Sequence, residues 1–201
     1  PPRSKGPNMP QVNTFFIKPA TAVVEVQLPP RRGSSEPRRV QVHGLSYALA
    51  CNLAEGGRPC ELFLSHAWDE PFFEFAARVL AEWPDDCRGA YLCSFSNPQN
   101  LDISKLLGSS VRDSPFYRVI HAPTPPRELL MVGNSITPIH RRLWCVLEAF
   151  AGREASIDRV RIAGPPQHLL TGARAAEFKA ETDAAAREAE VASQAAEAVA
   201  A

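Results

Sequence analysis

Short apolar runs and helical periodicities alternate through the middle of the chain. Glu61 to Ser65 (ELFLS) is an apolar run bounded by turn signals, the pattern of a buried parallel strand. Phe72, Phe75, Ala76, Val79, Leu80 and Trp83 then recur at helical spacing, with Asp69 placed to cap, Pro71 in the first turn and Pro84-Asp85-Asp86 as the stop. Ala90 to Phe95 (AYLCSF) reads as a second strand, Ser114 to His121 as a short helix, and Glu128 to Val132 as a third strand. A helix capped by Ser135 or Thr137, with Pro138 at its start, runs to about Ala151. Asp158 to Ala163 supplies a fourth strand. This order predicts a three-layer α/β domain over residues 58–164, a parallel sheet with helices on both faces. Ligands on such sheets sit at the carboxyl ends of the strands, here led by Ser65-His66-Ala67-Trp68.

The flanks are of another kind. Residues 1–38 read as a disordered Pro/Arg-rich arm, with one extended stretch at Val23 to Leu28 (VVEVQL) that alternates as an edge strand does. Residues 39–57 form a linker with a short helix at Leu45 to Leu53, closed by Gly56-Gly57. Residues 165–201 are a linker and an alanine-rich helix whose few large apolar residues make no continuous stripe, so it is expected to be solvated.

Composition changes this picture in one respect. The 201 residues carry 22 Lys+Arg and 22 Asp+Glu, a net charge of zero that argues against a nucleic-acid binder held by bulk charge. The zero is a sum of unlike parts: residues 1–40 hold seven Lys/Arg against two Glu, and residues 173–201 hold three basic against six acidic groups. Five cysteines without a CxxC pair predict reduced thiols and a cytoplasmic setting rather than a disulfide framework or a zinc site. His43, His121, His140 and His168 show no metal spacing, and no apolar run approaches a membrane span. The chain opens on Pro1 rather than Met and is read as a fragment.

The helix ending near Ala151 carries the most chemistry. Leu143, Val146, Leu147 and Phe150 share one face, expected to be the core face, and Arg141, Trp144, Cys145 and Glu148 share the other. Trp144 and Glu148, four apart, are neighbours. A tryptophan beside a carboxylate and an arginine fits a cleft wall; the same spacing also allows a second packed layer over Trp144 and an ion pair from Glu148 to Arg141 or Arg142. His66 beside Ser65 has the look of a base and a nucleophile, but neighbours on a strand point to opposite faces. Cys145 has no histidine at a fixed spacing to activate it.

Trp144-Cys145-Val146-Leu147-Glu148 resembles the WxxxE segment of TIR domains, and Glu61-Leu62-Phe63-Leu64-Ser65 resembles their opening strand. Leu64-Ser65-His66-Ala67-Trp68-Asp69-Glu70 and Arg141-Arg142-Leu143-Trp144-Cys145-Val146-Leu147-Glu148 together are most similar to the TIR-like domains of dinoflagellates and other protists. The resemblance implies a flavodoxin-like sheet and one of two functions. The first is a signalling or protein-interaction module that self-associates or binds other TIR-like domains. The alternative is an NAD glycohydrolase that cleaves the nicotinamide–ribose bond, with Glu148 as catalytic carboxylate and NAD as substrate rather than cofactor. For that alternative the resemblance points to Trp68 and Phe95 for stacking, Arg141 or Arg112 for phosphate, Trp144 in the cleft wall, and Ser65 and His66 at the strand end. No metal, nucleic acid or membrane is implied.

Overall fold

The computed structural model describes residues 6–28, 30, 35–134 and 139–164. The alanine-rich segment expected over residues 165–201 and the expected caps Ser135 and Thr137 lie outside these residues.

Four strands build the main sheet: β3 (Leu62–His66), β4 (Ala90–Leu92), β5 (Glu128–Val132) and β6 (Arg159–Ala163). All pair in parallel, in the order β4-β3-β5-β6. The chain leaves β3 in one direction to form β4 and returns past it to form β5, so β3 and β5 flank the point where the order reverses. Residues of β3 alternate between two cores. Leu62 and Leu64 join Phe75 and Val79 of helix α4 (Phe72–Ala81) on one face. Phe63 joins Ile120 of helix α7 (Pro115–Ile120) and Ala151 of helix α8 (Leu143–Glu154) on the other. The three layers expected from the strand–helix alternation are therefore present.

Several boundaries differ from expectation. β4 ends at Leu92, where pairing with β3 stops, and Cys93–Ser96 turns into the short helix α5. Helix α4 starts from Pro71 without a side-chain cap; Asp69, expected to cap it, forms an ion pair with Arg142 at 3.1 Å.

The amino-terminal arm is the largest correction. Instead of being disordered, Met9–Val12 (α1) and Lys18–Thr21 (α2) flank a π-helical turn, Asn13–Ile17, in one continuous helix. Asn8 and Gln11 close a reciprocal capping box at its start, and Pro10 sits in the first turn, where its missing N–H costs nothing. The wider π turn lies directly ahead of Pro19, whose ring would clash with the preceding turn in regular α geometry. Met9, Val12, Asn13, Ile17 and Thr21 face inward, and Met9 is fully buried in the core with Leu62 and Leu64. Three side-chain contacts tie this helix to the segment after β4: Asn13 with Gln99 (3.0 Å), Asn100 with Thr21 (3.0 Å) and Ser94 with Met9 (3.2 Å).

β1 (Val24–Leu28) is extended as expected, but it is half of an antiparallel hairpin with β2 (Arg38–Val42), which the linker reading missed. Helix α3 (Tyr47–Asn52), capped by Ser46, runs through a 3-10 turn to Gly56, whose φ of 74° is the left-handed stop. Helix α6 (Ile103–Leu107) completes the set.

Candidate functional site

Helix α8 is rotated from its expected orientation. Cys145, Val146, Glu148, Ala151 and Gly152 are buried, while Leu143 is 63% exposed. Small residues explain the choice. A Cβ on Gly152 would meet Leu129 Cδ1 at 2.9 Å, so this side of α8 alone can approach β5 so closely. The rotation carries Glu148 inward against the sheet.

There it meets Ser65. Ser65 Oγ donates to Glu148 Oε2 at 2.5 Å, and neither Arg141 nor Arg142 is its partner in an ion pair among the described residues. Burial pushes the Glu148 carboxyl up to about 7, against the pull of the Ser65 hydroxyl and of His66. The group thus exchanges its proton near neutral pH.

His66, next along β3, points to the other face, toward Phe75. Its Nδ1 lies 2.7 Å from Glu70 Oε1 and its Nε2 lies 3.2 Å from Cys93 Sγ. Burial opposes a charge on this ring, but Cys93 and Glu70 outweigh it and raise His66 to about 10. Burial raises Glu70 as well, with His66 pulling the other way. Cys145 Sγ donates to the His66 carbonyl at 3.3 Å, and burial pushes that thiol up to about 12.

These groups border a cavity of about 330 Å³ at the carboxyl ends of β3 and β4. His66, Trp68, Cys93, Trp144, Cys145 and Glu148 line it, with Phe116 from α7. Trp144 is 40% exposed and leans on the Phe116 ring at 5.2 Å, which sets it as a side wall. Leu101, Ile103 and Leu107 form an apolar flank. Among the described residues no group of three or more His, Cys, Asp or Glu side chains has the arrangement of a metal site.

The structure brings Glu148, Ser65, His66, Trp68 and Trp144 together at the strand ends, with Glu148 on the buried side of α8 rather than on the face away from the core. Phe95 is not brought in: the helical turn after β4 carries it to Tyr47 (5.4 Å) and Phe72 (6.5 Å). Phe116 takes the aromatic place instead. Arg141 is exposed at the end of a 3-10 turn, and its neighbour Arg142 reaches the cavity wall. Arg112 is also outside the lining.

The amino-terminal helix adds two residues that the sequence reading left out, Asn13 and Lys18. Gln99 Nε2 donates to the carbonyls of Cys93 (3.2 Å) and Asn97 (3.1 Å), so its Oε1 must face Asn13. Asn13 Nδ2 donates to that oxygen, which leaves Asn13 Oδ1 as a buried acceptor with no partner among the described residues.

The wall chemistry is then one carboxyl group poised near neutrality, a thiol–imidazole pair with a carboxylate behind it, three aromatic rings and two cations. Comparison with protein-family models, with curated proteins and with solved structures returns no match for this chain.

Proposed function

We propose that this is a flavodoxin-like, TIR-like domain that cleaves the nicotinamide–ribose bond of NAD, with Glu148 as the catalytic carboxylate. The observation that carries the reading is Glu148 itself, buried at the strand ends, bonded to Ser65 and facing a cavity with aromatic walls. The strand order β4-β3-β5-β6 agrees with a flavodoxin-like sheet, in which ligands bind outside the carboxyl ends of the strands.

The chemistry suits a single carboxylate. Nicotinamide leaves as a neutral molecule from a cationic precursor, so no second acid is needed to protonate it, unlike an ordinary glycoside. What must be stabilised is the oxocarbenium-like charge growing on the ribose, and an ionised Glu148 in a site of low polarity does this. Trp68 and Trp144 offer faces for the nicotinamide ring, and Phe116 braces Trp144. Lys18 and Arg142 replace Arg141 and Arg112 as partners for the diphosphate. A cavity of about 330 Å³ is at the small end of ligand sites, so it takes the nicotinamide–ribose half. The test is release of nicotinamide from NAD by the whole chain, compared with Glu148→Gln, which is expected to be slower by roughly 100-fold or more.

One observation favours the interaction-module reading. Phe15 and Phe16 stand side by side on the outer face of the amino-terminal helix, 69% and 66% exposed. Adjacent exposed aromatic rings of this kind fit self-association or another TIR-like partner.

A further inference from the structure

A thiol is a strong nucleophile at neutral pH when an imidazole holds its proton, and the imidazole acts best when a carboxylate fixes its orientation. Three side chains at the cavity meet this requirement. His66 Nε2 is 3.2 Å from Cys93 Sγ, and His66 Nδ1 is 2.7 Å from Glu70 Oε1. An ionised carboxylate only accepts, so Nδ1 carries a proton and donates it to Glu70, and Nε2 is the nitrogen left to face the sulfur. His66 and Cys93 both line the cavity, with Glu70 fully buried behind them. Cys93 follows directly on the last residue of β4, where the chain turns from strand into helix. Cys145, the thiol beside Trp144, bonds to the His66 backbone carbonyl and meets the Ser65 side chain rather than the imidazole.

We propose that Cys93, His66 and Glu70 are a nucleophile, its base and an orienting carboxylate, acting on small acyl electrophiles (esters or thioesters) that enter the cavity. The assignment stands on these three residues and is independent of the role given to Glu148. In the first step Cys93 Sγ bonds to the acyl carbon and the thiol proton resides on His66 Nε2. The bond from that carbon to the leaving oxygen or sulfur breaks, and the leaving group takes the proton. In the second step a water molecule adds to the thioester carbon and the carbon–sulfur bond breaks. One water proton passes through His66 to Sγ, so the thiol is restored and a carboxylic acid is released. Cys93 and Glu70 set the charge of His66 against its burial, Glu74 and Arg78 of α4 act on Glu70 behind it, and Glu148 of α8 is itself lowered by His66.

The test uses the whole chain with p-nitrophenyl acetate, following p-nitrophenolate by absorbance and locating the acetyl group by mass spectrometry. A burst of about one equivalent is expected, with the acetyl group on Cys93. At pH 6 Cys93 is expected to be acetylated at least about tenfold faster than the exposed Cys51, which has no imidazole partner of this kind. Cys93→Ala abolishes the burst. Glu70→Gln keeps an acceptor for Nδ1 but removes the charge, and is expected to slow the burst at pH 6 by roughly tenfold or more. Acetylation of the exposed Cys51 in preference to Cys93 would overturn the proposal. So would a Glu70→Gln burst as fast as that of the wild type. The contest between Cys93 and Cys51 in the unaltered chain decides the matter even if a variant folds poorly.

Discussion

Glu148 is an acid held in apolar surroundings with one hydroxyl donor, and its proton reports on those surroundings. An acid with a native pKa above its unfolded value binds more protons when folded. Its contribution to stability is therefore complete below about 4.5 and is lost as pH rises through about 7. The loss is on the order of 3 kcal/mol for a group this deeply buried. Urea unfolding at pH 5 and pH 8 checks it: the wild type should lose stability between the two, and Glu148→Gln should lose distinctly less. Equal slopes for the two proteins would mean that Glu148 is more solvated than its position implies. Legibility in the sequence was uneven at this scale. The i, i+4 spacing put Glu148 beside Trp144, and the strand-end motif put Ser65 nearby. Nothing in the spacing tied Cys93 to His66, 27 positions apart, because only the β3–β4 pairing brings them together.

Elements were legible where one face was plainly apolar. Helix α4 shows this, its amphipathic stripe giving its bounds within two residues, whereas β3 and β5 are legible as short apolar runs buried on both faces and β6 as a short run after a turn. Helix α8 was found, but its face was misjudged, because LWCVLEAFAG is apolar nearly all round and the close approach at Gly152 decides the rotation. The amino-terminal helix was hidden by Pro10 and Pro19, which punctuate it and argue for an arm. The proline-tolerant first turn and the π turn make the helix possible, and burial of Met9 makes it dock. Met9→Ala should therefore destabilise the protein by about 2–5 kcal/mol, while Phe16→Ala on the outer face should change stability by less than about 0.5 kcal/mol. Thermal or denaturant unfolding distinguishes these outcomes. The same helix brings Asn13 to the cavity.

For the molecule as a whole, the site is a product of topology. The end of β3, the end of β4, the start of α8 and the amino-terminal helix are remote in sequence and meet at one cavity. The zero net charge says nothing about this surface, since it sums a basic amino-terminal and an acidic carboxyl-terminal region. Among the described residues no helix is long and apolar enough to cross a membrane. If Phe15 and Phe16 form a contact between copies, sedimentation velocity should show a concentration-dependent dimer that Phe15→Ser with Phe16→Ser removes. The central claim, that the Glu148 carboxylate drives NAD cleavage, is tested most directly by the rate of nicotinamide release against pH. The account predicts a rising limb with its midpoint at about 7, moved upward in Ser65→Ala because a hydroxyl donor to the carboxylate is lost, and activity nearly abolished in Glu148→Gln. Release that persists in Glu148→Gln with an unchanged pH profile would contradict it.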